Sequence, residues 1–159
     1  MASTFPALSA QAMWMPHRHR QRLAAIAKAE PAMKNKYLFV YGSLREPNNR
    51  FRIRGQIQGI LLCFKKSRET LAGVVASENP EDKVIGEIIE VSKGVLRALD
   101  DWEGALYIRK LIFAKIGNFP KPIKVWCYFW DYTVMADMGW KESKRIESGD
   151  WFLRENNEI

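Results

Sequence analysis

Proton-transfer chemistry in this chain has few candidates. Both histidines, His17 and His19, lie near the N-terminus, and no histidine follows. From residue 34 onward, protons must move through carboxylates, Lys, Tyr or Cys. A Ser-His-Asp or Cys-His arrangement cannot be assembled there, so Ser43 has no partner base. Glu103 is the carboxylate with the most suggestive setting. It ends an apolar helical pattern, with Trp102 beside it and Tyr107 shortly after. Aromatic neighbours would exclude water and raise its pKa from about 4.3, so that it exchanges a proton near neutral pH. The competing reading is a solvated glutamate at a helix C-terminus. An acid at that end opposes the helix dipole, which asks for another reason to be there.

A second feature is main-chain rather than side-chain. The run Tyr37-Leu38-Phe39-Val40-Tyr41 reads as a buried strand, and Gly42-Ser43-Leu44-Arg45 follows it directly. A tight turn at Tyr41, Gly42, Ser43 and Leu44 can aim backbone N–H groups at a carboxylate or a developing oxyanion. The bland reading is an ordinary strand and turn. Arg45 and Arg109 would either attract an anionic substrate or be surface or ion-paired residues. Asp100 and Asp101 read as helix-end solvation, and Trp126, Tyr128 and Trp130 as core. No Gly-Lys-Ser/Thr phosphate loop is present. Cys63 and Cys127 lie in apolar runs with no nearby His, so a zinc site and a disulfide framework are not expected. No cofactor is expected. A reducing cytoplasm fits these cysteines, and no apolar run approaches the roughly 20 residues of a membrane helix.

The elements that must position these residues follow from pattern. Strands are expected at 37–41, 55–64, 70–76, 84–91, 107–116 and 123–130. Ser92 is a fitting N-cap, and Val95, Leu96, Leu99 and Trp102 recur at helical spacing until Gly104. The stretch after residue 130 reads as irregular or short strand. Several strands, one clear helix and short connections predict an α+β fold, a small mixed β-barrel with one or two flanking helices. Residues 1–33 hold Arg18, Arg20, Arg22 and Lys28 against one acid, Glu30. They read as a flexible extension or non-native start, with an organellar transit peptide as the alternative. The functional domain is expected over 34–155.

Three segments carry a family resemblance. The first is Tyr41-Gly42-Ser43-Leu44-Arg45 after its hydrophobic strand. The second is Leu99-Asp100-Asp101-Trp102-Glu103-Gly104 followed by Tyr107-Ile108-Arg109. The third is Ser148-Gly149-Asp150-Trp151. In this order they resemble the gamma-glutamylcyclotransferase-like (AIG2-like) family. The resemblance implies an enzyme that cyclises a small gamma-glutamyl amine or peptide to 5-oxoproline and frees the amine. It implies Glu103 as catalytic acid/base, with Tyr41, Gly42, Ser43, Leu44 and Tyr107 binding substrate. Asp150 and Trp151 would serve structure, closing the barrel. The domain is shorter than the characterised animal enzymes, and the loop after Glu103 is compact, so the attached amine is left open.

Two other classes compete. One is a non-catalytic module on the same fold, holding a small anion or a protein. The other is a basic barrel that binds nucleic acid through Arg50, Arg52, Arg54, Lys65, Lys66 and Arg68, consistent with a net charge of +7. It ranks third, because no recognisable nucleic-acid-binding motif accompanies it.

Overall fold

The computed structural model describes residues 36–50, 52–103 and 106–154. Eight strands, two α-helices and a short 3-10 turn at Trp151–Leu153 lie along the described residues. Five strands form one mixed sheet in the order β2-β5-β1-β7-β6, and three form a second in the order β4-β3-β8. In chain order the strands are β1 (Lys36–Val40), β2 (Ile53–Gln58), β3 (Ile60–Lys66), β4 (Glu69–Val75), β5 (Lys83–Val91), β6 (Tyr107–Ala114), β7 (Ile123–Trp130) and β8 (Lys141–Arg145). The helices are α1 (Lys93–Glu103) and α2 (Tyr132–Asp137).

The apolar run of β1 makes it the central strand, antiparallel to β5 and parallel to β7. Leu38, Phe39 and Val40 are fully buried because both faces of the sheet are covered. Leu38 and Val40 face the side packed by Val95, Leu96 and Leu99 of α1. Phe39 and Tyr41 face a second cluster that includes Cys63, Val74, Cys127 and Trp151. Ser92 caps α1 as expected, its Oγ accepting from Val95 N at 3.1 Å.

The α+β class is as expected, with two refinements. Residues 55–64 are not one strand. The chain leaves the five-stranded sheet with β2 and enters the three-stranded sheet with β3, crossing at Gly59, whose N–H donates to Asp82 O. A single apolar run does not reveal a change of partner sheet. The barrel is also not closed by ladders. Among the described residues, β2 and the end of β6 are joined only by the bridge between Gln56 and Lys115, just past β6, with two hydrogen bonds of 2.9 and 2.8 Å. Helix α2 is the second flanking helix, and it falls in the stretch expected to be irregular or short strand. Asp131 caps it by accepting from Thr133 N and Val134 N, and Met135 plugs it into the core.

Candidate active site

The turn after β1 closes with Arg45 N donating to Gly42 O at 3.0 Å. Gly42 and Leu44 are buried and Ser43 is half-buried. The Tyr41 phenol runs inward and donates to Tyr128 O at 2.7 Å. Arg45 is not presented to an incoming anion. It is 5% exposed, its Nε donates to Glu87 Oε2 at 2.8 Å, and its Nη1 pairs with Asp150 Oδ1. Glu87 Oε1 also accepts from Glu46 N at 2.7 Å, and Arg52 adds contacts to Glu87, Glu46 and Leu44 O. The first and third signature segments are therefore joined by a buried ion pair that fixes the turn from its far end. The structural role expected of Asp150 takes this form: it ties the tail to the turn.

Gly149 places that aspartate. Its φ of +71° disfavours other residues, and a Cβ there would collide with Lys83 O. Its carbonyl accepts from Ile85 N at 2.8 Å, which stitches the tail onto β5.

Glu103 is the last residue of α1 and is 1% exposed, because it lies on the same helical face as Leu96 and Leu99. The solvated-glutamate reading does not hold. The chain then turns through Leu106 N donating to Glu103 O at 2.7 Å. Gly104, expected to end the helix, lies outside the described residues. Tyr107 opens β6, 3% exposed, its ring edge-on to Trp130 and its hydroxyl donating to Ala72 O at 2.8 Å. Its hydroxyl hydrogen is thus held by the core, which leaves the oxygen as an acceptor.

Burial pushes the Tyr41 phenol well above its usual range; Tyr107, Cys127 and the charge of Glu103 add to this, while a hydrogen bond from the Val74 backbone opposes it. Tyr107 is raised by burial first and then by Glu103. Tyr128 is raised by burial, by its hydrogen bond to Asp100 and, more weakly, by Glu103. Burial is the leading cause for all three phenols, with the Glu103 charge a smaller one. All three stay protonated at neutral pH, and each hydroxyl donates elsewhere, to Tyr128 O, Ala72 O and Asp100.

Asp100 does more than solvate the helix end. Its carboxylate takes Arg109 in a two-point contact, Nε to Oδ1 at 2.7 Å and Nη2 to Oδ2 at 2.8 Å, and accepts from Tyr128 OH at 2.7 Å. Arg109 is the ion-paired residue of the two alternatives, and it lies 4.1 Å over the Trp126 ring. The available signal was that Asp100 stands three residues before Glu103, hence on a neighbouring part of the same face. Among the described residues no group of three or more His, Cys, Asp or Glu side chains could hold a metal ion. No described helix is long and apolar enough to cross a membrane.

The family model described as gamma-glutamyl cyclotransferase, AIG2-like, matches residues 38–153, and the chain belongs to that family. Solved structures agree on the fold. YkqA from Bacillus subtilis superposes with a TM-score of 0.52 at 21% identity, over 74% of this chain and 40% of its own. An Arabidopsis thaliana protein solved in solution gives 0.52 at 24% identity, over 67% and 76%. A gamma-glutamyl cyclotransferase gives 0.51 at 20% identity, over 69% and 70%. The chain spans well under half the length of YkqA. No curated protein sequence matches it.

Proposed function

We propose that this protein is a cyclotransferase that converts a small gamma-glutamyl amine or peptide to 5-oxoproline and the free amine. The observation that carries this reading is the burial of Glu103, 1% exposed at the end of α1, with the buried Tyr107 opening the next strand. The substrate supplies its own nucleophile, which suits a domain without a histidine. Its alpha-ammonium, with a pKa of about 8, loses a proton to Glu103. The freed nitrogen attacks the gamma-carbonyl carbon and closes a five-membered ring. Collapse of the tetrahedral intermediate breaks the bond to the amine; Glu103 returns its proton to the leaving nitrogen, and the second proton shed by the ring nitrogen leaves the amine as an ammonium ion and the ring with one N–H. One C–N bond forms, one breaks, and no water is consumed. Main-chain N–H groups of Gly42, Ser43 and Leu44 hold the oxyanion or the alpha-carboxylate. Holding the amine and carbonyl of one molecule in a folded conformation supplies much of the rate.

The test is Glu103→Gln, which keeps the shape and removes the base. Release of 5-oxoproline from gamma-glutamyl amines should fall by about 10²–10⁴-fold, with the unfolding transition retained. Full activity in that variant removes Glu103 from the chemistry. The second reading keeps the same fold as a non-catalytic module for a small anion or a protein. Saturable binding of a gamma-glutamyl compound without turnover would select it. Nucleic acid is disfavoured by Arg52: its side chain is 4% exposed and ion-paired to Glu46 and Glu87, which removes one charge from the expected basic strip.

A further inference from the structure

We propose that Asp100, Arg109 and Tyr128 form a clamp that positions the Glu103 carboxyl against the Tyr41 end of β1. This rests on the reading of Glu103 as the acid/base. The argument begins with the helix. Asp100 and Glu103 are separated by about 60° around the α1 axis and about 4.5 Å along it. Fixing Asp100 therefore fixes the last turn, and Glu103 is its final residue. The turn closed by Leu106 N and Glu103 O holds that residue from the other side.

Tyr128 gives the clamp its direction. Its hydroxyl donates to Asp100, while its main-chain carbonyl accepts from the Tyr41 hydroxyl. One residue of β7 thus bridges the helix end that carries Glu103 and the strand end that opens into the 42–45 turn. Arg109 completes the arrangement from the adjacent strand β6, where it pairs directly with Tyr128 in the ladder. Its guanidinium neutralises Asp100 and is braced by the Trp126 ring. Without that cation, a second carboxylate would stand one turn from Glu103 on the same face.

The clamp is partly open to water, with the Asp100 and Arg109 side chains 33% and 26% exposed. Those two can therefore be changed without emptying the core, whereas Tyr128 is 2% exposed and its ring must be kept. They are positioning residues, since each acts through Glu103. Tyr128→Phe keeps the ring and removes only the hydroxyl. Asp100→Asn removes the charge that holds Arg109.

The experiment measures 5-oxoproline release by the full chain carrying Tyr128→Phe, Asp100→Asn, or both. It also follows the 13C carboxyl resonance of Glu103, identified by its disappearance in Glu103→Gln. Each single variant should lower kcat by about tenfold, with KM within about twofold and the thermal transition retained. The double variant should lose less than the product of the two. The Glu103 resonance should move in both single variants. Arg109→Lys, which keeps the charge and loses the two-point fork, should lie between wild type and Asp100→Asn. Unchanged kcat and an unmoved resonance in folded Tyr128→Phe would overturn the clamp. A moved resonance in a protein that turns over no gamma-glutamyl compound would keep the clamp and overturn the cyclotransferase reading instead.

Discussion

Three buried tyrosines set an alkaline limit on stability. Tyr41, Tyr107 and Tyr128 are all raised above the ordinary phenol value, with burial as the leading cause. In the unfolded chain they ionise near pH 10, and in the folded protein they do not. The unfolded state then binds fewer protons, so stability is fully present below about pH 10 and falls as pH rises above it. Each tyrosine contributes a slope of about 1.4 kcal/mol per pH unit. Urea midpoints between pH 8 and pH 11 should be flat and then drop, and Tyr107→Phe should soften the drop. A flat profile to pH 11 would contradict the burial of these phenols. Arg45 supplies the matching prediction for charge. Arg45→Met leaves Glu87 and Asp150 as buried anions and should cost about 3–5 kcal/mol in urea unfolding.

At the scale of elements, the segment that places Asp150 depends on backbone shape. Gly149 has φ +71° and lies against Lys83 O, whereas Gly117 has φ +45° with open space around it. Gly149→Ala should therefore cost at least about 2 kcal/mol, and Gly117→Ala only about 1 kcal/mol. Equal losses would mean that the contact between the tail and β5 matters little. Helix α1 was legible because its apolar spacing and Ser92 cap agree. Helix α2 was not, because six residues with one buried side chain, Met135, carry no periodic signal. Its mark was Asp131 directly after a strand, which reads equally as a turn.

For the whole molecule, β1 joins the two core clusters, since Leu38 and Val40 belong to one and Phe39 and Tyr41 to the other. The described domain should unfold as one unit, with far-UV and near-UV circular dichroism tracing a single transition. Separate transitions would mean that the two sheets melt independently.

The sequence alone determined the α+β class, the helix ending in Glu103 and the strand opening into the Gly42 turn. Those depend on local periodicity and caps, which neighbouring residues encode. It also narrowed the proton chemistry, because a chain segment without histidine has few acids and bases to offer. Only the tertiary structure decided that Glu103 is dry, that Arg45 faces Glu87 and Asp150 rather than solvent, and that Tyr128 bridges Tyr41 and Asp100. Those partners lie 28 to 105 residues apart in the chain, and burial is a property of packed sheets that no local pattern records.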